Sequence, residues 1–248
     1  VEAHDVTVYA QEYAGFTVSP TCDGGTSTVT GDTGGAFAFN PVPTDGAVID
    51  PVTGTVTNAQ PGVTYTVEYT TTGNCPATET RDLAVLPLDD SSFTMAPTCD
   101  GGVATVTGQA GGTFAFAVAP TDGAVIDPVT GTVSGGGFAT DYTVEYTTTG
   151  CVSTTQVAFT SDPEPVVASP TPLEVCDDNV PDGVTAFDLD RKNKEISMGH
   201  PALWITYYET PAGAVSGTGA VSLPYTNTSN PQTVYVRAEN DVTGCVDT

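Results

Sequence analysis

Thirty acidic side chains against five basic ones give this 248-residue chain a net charge of −25. Not one Lys or Arg stands between Asp82 and Asp190, so no nucleic acid is expected as a partner: phosphate binding needs clustered cations. An anionic membrane surface would repel the chain for the same reason. No run approaches 18 apolar residues, and no membrane insertion is expected.

In chain order, residues 1–13 are predicted to be the last strand of a preceding repeat. Glu2, Asp5, Val8 and Phe16 stand at the offset that brings them onto Glu79, Asp82, Val85 and Phe93. A first β-sandwich repeat then occupies 14–88. Its strands show in Ala36-Phe-Ala-Phe39, with Phe37 and Phe39 on one face, and in Thr64–Thr70. That second run alternates strictly: Tyr65, Val67 and Tyr69 face one way, Thr64, Thr66 and Glu68 the other. Gly34-Gly35, Asp45-Gly46, Asp50-Pro51 and Thr53-Gly54 supply the turns between. The second repeat, 89–164, is the first written again. From Phe16 to Gly73, 40 of 58 positions recur 77 residues later without a gap. A fixed period of this kind signals a tandem array, with an elongated rod as the expected shape. The closing strands carry Leu83 and Val85, then Val157 and Phe159.

A third, divergent β-sandwich unit is predicted over 165–248. It holds four of the five basic residues and the single tryptophan, Trp204. Strands are expected in Trp204–Glu209 and Thr233–Glu239, with residues 189–198 as the one candidate for a helical turn. Trp204 falls in an alternating strand, so a core position is expected. The alternative is an exposed platform for a sugar ring, shared with Tyr207 or Tyr208. Only three residues follow Cys245, so this unit is expected to lack its final strand.

Six cysteines fall as Cys22 and Cys75, Cys99 and Cys151, Cys176 and Cys245, one pair per unit. A unit of about 77 residues has a small core, so a covalent staple is expected. Pairing within each unit is the simplest connectivity, and a cross-seam bond such as Cys75 to Cys99 is the alternative. A loop of roughly 50 residues closed in this way stabilises by about 4 kcal/mol. No pair has the spacing of zinc ligands, and disulfides imply an oxidising, extracellular setting.

The Asp-rich stretch Asp177-Asp178-Asn-Val-Pro-Asp182-Gly183 is the candidate metal site. Calcium takes several oxygen ligands from a loop that turns on a glycine, and Asp177, Asp178, Asp182 and Asp188 are the residues that would supply them. Val180-Pro181 breaks the alternate spacing, and a solvated acidic turn is the competing reading. No catalytic residue is expected. The two histidines, His4 and His200, lie in different units, and no G-x-S-x-G occurs.

The run Ile49-Asp-Pro-Val-Thr-Gly-Thr-Val56, with Gly62-Val-Thr-Tyr-Thr-Val-Glu-Tyr69, resembles the bacterial Ig-like surface repeats. The third unit resembles a companion module of the same proteins through Cys176-Asp-Asp-Asn, Ala186-Phe-Asp-Leu189, Val234-Tyr-Val-Arg-Ala-Glu-Asn240 and Thr243-Gly-Cys245. Those modules occur in very long Bacteroidetes cell-surface proteins, including gliding-motility adhesins exported by the type IX secretion system. The resemblance implies an all-β rod of tandem Ig-like sandwiches on a bacterial surface, with an adhesive or filament role and no enzymatic one. Its expected partners are neighbouring repeats of the same chain, other copies in a filament, or surface polysaccharide. The alternative it leaves is an accessory carbohydrate-binding or calcium-rigidified spacer module of a large exported enzyme.

Overall fold

A computed structural model describes residues 4–248. The chain is nearly all β and antiparallel. It divides into two compact units, the first formed by residues up to 92 with 107–112 and 147–155, the second by 93–106, 113–146 and 156–248.

Repeat 1 lies in the first compact unit. Its strands are β1 (Phe16–Pro20), β2 (Gly25–Val29), β3 (Ala36–Phe39), β4 (Val48–Ile49), β5 (Val56–Thr57), β6 (Thr64–Thr70) and β7 (Thr78–Ala84). They form two sheets, ordered β1-β2-β5-β4 and β3-β6-β7. Tyr65, Val67 and Tyr69 point inward from β6, as the alternation requires, and meet Phe37 and Phe39 from β3, Phe16 from β1 and Leu83 from β7. Phe16 packs edge-on to Phe37 at 5.5 Å between ring centroids, and Phe37 lies 4.5 Å from Tyr69. Residues 4–13 form no strand, contrary to the expectation for 1–13, whose first three residues lie outside the described ones. Glu12 instead crosses the β6–β7 turn, where its backbone bonds to Cys75.

Repeat 2 uses β8 (Phe93–Thr98), β9 (Gly101–Val106), β10 (Thr113–Phe116), β11 (Val125–Ile126), β12 (Val133–Ser134), β13 (Asp141–Thr147) and β14 (Thr154–Thr160). The sheet orders repeat those of the first, β11-β12-β9-β8 and β10-β13-β14. The aromatic geometry is nearly superposable: Phe93 lies 5.4 Å from Phe114, and Phe114 4.5 Å from Tyr146.

The repeated Asp-Pro-Val-Thr-Gly-Thr run is a turn. Asp50 accepts from the backbone N–H of Val52 and Thr53, both at 2.8 Å, and Asp127 does the same for Val129 and Thr130. Gly54 ends the turn at φ 65°, and a Cβ there would strike Ser27 and Phe37. These aspartates are turn formers, as the sequence indicates.

Asp45 and Asp122 do something else: each accepts a hydrogen bond from a core tyrosine, Tyr65 at 2.5 Å in repeat 1 and Tyr142 in repeat 2. The Tyr142 hydroxyl, with the N–H groups of Gly137 and Ala124, holds the Asp122 carboxyl down to about 2, from an ordinary 3.8. A depressed carboxyl stabilises the fold above its unfolded value and loses that contribution as pH falls through the folded one. The gap in melting temperature between wild type and Asp122→Asn is therefore expected to be widest above about pH 4 and to close towards pH 2. A gap unchanged across an acid series of thermal melts would contradict this.

The third module lies in the second compact unit. Strands β15 (Ala186–Phe187) and β17 (Tyr225–Thr226) pair, and β16 (Leu203–Tyr208), β18 (Tyr235–Asn240) and β19 (Val246–Asp247) form a three-stranded sheet. A 3-10 turn at Leu189–Lys192 leads into the short helix α1 (Asn193–Ile196), inside the segment marked for a helical turn. Leu189, Ile196, Tyr207 and Tyr225 form the core. A second helix, α2 (Pro211–Ser216), has no sequence periodicity to announce it. Thr210 caps it by accepting from Gly213 N at 3.1 Å, proline opens it, and Gly217 closes it at φ 69°. The strand after Cys245 is present as two residues: Val246 pairs with Glu239, and Asp247 with Ala238.

Candidate functional site: an offset disulfide series

Two disulfides are formed, and neither lies within a sequence unit. Cys22 joins Cys151 and Cys99 joins Cys245, with Cα–Cα distances of 5.2 and 5.4 Å. Cys75, half-buried, and Cys176, exposed, remain thiols. The expected pairs Cys22–Cys75, Cys99–Cys151 and Cys176–Cys245 are thus replaced by bonds from the first cysteine of one unit to the second cysteine of the next.

The reason is built into the strands. Cys22 sits in the β1–β2 hairpin, where Thr21 O accepts from the N–H of Leu86 at 3.0 Å, just beyond β7. Cys75 sits at the opposite end of β7, where its carbonyl accepts from the N–H of Glu12 at 3.1 Å. Seven strand residues separate the two turns, about 23 Å at a rise of ~3.3 Å per residue. A disulfide spans only about 4.4–6.8 Å between Cα atoms. Within a repeat, then, the first cysteine stands at the outgoing end and the second at the incoming end. A first cysteine can reach only the incoming turn of the unit that follows.

Repeat 2 has the same bonds at both places. Asp89 N donates to Cys151 O at 2.8 Å, and Asp162 N donates to Thr98 O, beside Cys99, at 2.9 Å. The acidic linker residue also clasps the turn with its side chain: Glu12 accepts from Gly73 N and Asp89 from Gly150 N, each at 3.1 Å. Linker residues thus hold the cysteine turns by hydrogen bonds as well as by sulfur bonds. Cys151 and Cys245 are buried. Cys245 closes the β18–β19 turn, its N–H donating to Thr243 Oγ1 at 3.2 Å.

The acidic stretch of the third module does not assemble a ligand set. Asp177 accepts from Asp178 N and Gly183 N, Asp178 from Val180 N, and Asp182 from Val184 N, at 2.7–3.0 Å. Asp188 lies exposed ahead of the 3-10 turn and makes no side-chain cap. Among the described residues no group of three or more His, Cys, Asp or Glu side chains is placed to hold a metal ion. The Asp177, Asp178 and Asp182 carboxylates accept from the backbone of their own turn.

Trp204 overturns the expectation of a core position: it is 69% exposed, whereas Tyr207 and Tyr208 are buried. On β16 the inward positions are Ile205 and Tyr207, which puts Trp204, Thr206 and Tyr208 on the other face. There α2 covers Tyr208 and leaves Trp204 open. His200, next to Pro201, is an exposed loop residue.

These features define a class: a disulfide-joined series of β-sandwich modules suited to an oxidising, extracellular compartment. Residues 172–248, which include Cys176 and Cys245, match the family described as the Flavobacterium inter-domain disulphide bond domain. No curated protein matches the chain. Among solved structures it is similar to the human desmocollin-1 ectodomain, at 13% identity and a TM-score of 0.25, covering 92% of this chain and 57% of that one. It is similar to the protocadherin gammaB4 extracellular domain at 13% identity and a TM-score of 0.23, covering 90% and 44%. The chain therefore spans about half the length of these ectodomains, and the fold assignment rests on its own sheets.

Proposed function

We propose that this chain is a structural and adhesive segment of a long secreted bacterial cell-surface protein, in which each module is covalently bonded to the next. The offset of the two disulfides carries this reading. Cys22, Cys99 and Cys176 recur at intervals of 77 residues, and the first two each bond forward to a following module. Cys176 is the third member of that series and takes the second cysteine of a module beyond it. Cys75 is the equivalent of Cys151 and takes the first cysteine of a module before it. The role is mechanical and not enzymatic, with no cofactor required. The −25 charge keeps like modules from aggregating along their strand edges. The resemblance of the repeats to gliding-motility adhesins, and the matched family's description, support a type IX-exported surface filament or adhesin of this kind.

Mixing two variants tests the pairing rule. Cys75→Ser retains only the Cys176 thiol, and Cys176→Ser retains only that of Cys75. Under a glutathione redox buffer the mixture is expected to give a covalent heterodimer through Cys176 and Cys75, visible on a non-reducing gel. Each variant alone is expected to stay mainly monomeric. Homodimers formed as readily as the heterodimer would overturn the pairing rule.

A further inference from the structure

We infer that the open face of the third module's sheet is a binding groove for a neutral pyranose-based oligosaccharide, with Trp204 as its stacking platform. Trp204 lies opposite Glu239 in the β16–β18 register, and Thr206 opposite Arg237. With Ser216 and Asp241 these residues line a groove of about 620 Å³, within the usual range of about 300–1,000 Å³ for small-ligand sites. Trp204 also borders a second depression of about 360 Å³, lined by Asp190, Asn193 and Leu223.

The chemistry of the rim selects the ligand. Arg237 is held in place from two sides: Nη1 donates to Ala214 O and Val215 O at 3.3 and 3.1 Å, and Nε and Nη2 to Glu239 Oε2 at 3.3 and 3.2 Å. These bonds fix Arg237 and Glu239 beside the indole before any ligand arrives, which lowers the ordering cost of binding. The groove therefore offers one donor, the Nη2 N–H of Arg237 not bonded to Glu239, beside the acceptors of Glu239, Asp241 and the Thr206 and Ser216 hydroxyl oxygens, whose protons turn to the protein. Sugar hydroxyls need both kinds at once, and the partly positive C–H bonds of a pyranose face suit the negative face of an indole. A cation site would present acceptors alone around the ring. A polyanionic glycan would meet the field of a chain with net charge −25.

Trp204 is the only tryptophan, so its emission reports on this groove and nothing else. The intact chain would be titrated with cello-, malto-, manno- and laminari-oligosaccharides, and run through native gels containing the matching neutral polysaccharides, with alginate as the anionic control. At least one neutral series is expected to shift the emission, protect Trp204 from acrylamide quenching and retard the protein. Trp204→Ala is expected to weaken binding about thirtyfold, as for an aromatic anchor worth ~2 kcal/mol. Trp204→Tyr should keep part of it, with melting temperatures unchanged in both variants. Emission and mobility unmoved by every neutral glycan would overturn the inference. So would equal retardation of wild type and Trp204→Ala, or retardation by alginate alone. None of these outcomes bears on the cysteine pairing, so the array reading stands or falls separately.

Discussion

Trypsin without reductant will release one covalent species holding residues 1–81, 82–191 and 238–248. Cleavage after Arg81, Arg191 and Arg237 leaves Cys22 and Cys75 in the first segment, Cys99, Cys151 and Cys176 in the second, and Cys245 in the third. The bonds Cys22–Cys151 and Cys99–Cys245 tie all three together. Pairing within units would set 1–81 free, so one mass spectrum decides the matter. The energetic counterpart is large. The Cys22–Cys151 bond closes 129 residues, which the chain-entropy model values at about 5 kcal/mol. The second bond closes 146 residues and shares 99–151 with the first. With that bond in place the effective loop is shorter, and the expected loss falls to about 4–5 kcal/mol. Replacing both Cys22 and Cys151 by Ser avoids stranding a thiol, and urea unfolding of that variant should show a loss of this size. A loss under about 1 kcal/mol would mean that the linker contacts already restrain the unfolded chain.

Phe16→Ala should cost about 3–5 kcal/mol, as large-to-small changes in a closed aromatic cluster do. Phe16 is 1% exposed and touches Phe37 and Tyr69, both buried. Phe93→Ala should cost nearly the same, because Phe93 meets Phe114 and Tyr146 with ring separations that match to within 0.1 Å. The comparison of the two variants by denaturant unfolding is the sharper test: a twofold difference would show that the two sandwiches relax differently around the same cavity.

The sandwich was legible wherever one face of a strand is buried. The alternation in Thr64–Thr70 gave Tyr65, Val67 and Tyr69 their direction, and the structure places all three in the core. What the alternation could not reveal is which end of a strand a turn occupies relative to another turn. For that reason the cysteine pairing was misread: the two cysteines of one repeat are close in the count of units but a strand length apart in space. Following β7 from Cys75 to the residue that bonds beside Cys22 would have exposed the error. Trp204 was misread because the period of a strand names two faces without saying which is covered. Here α2, a six-residue helix with no apolar stripe, covers only one end of the outer face. The Asp–Tyr bonds at Asp45 and Asp122 hid behind the turn chemistry that Asp-Gly usually signals. The aspartates at 177, 178 and 182 carried a calcium-like composition, but their hydrogen bonds are local.

The overlap of the two bridges has a consequence for the integrity of the backbone. A single cut anywhere from residue 23 to 150 leaves its two products joined through Cys22 and Cys151, and one from 100 to 244 leaves them joined through Cys99 and Cys245. Between Cys22 and Cys245 no one peptide bond is indispensable to covalent continuity. A protease can therefore nick any single loop in this stretch without shedding a fragment.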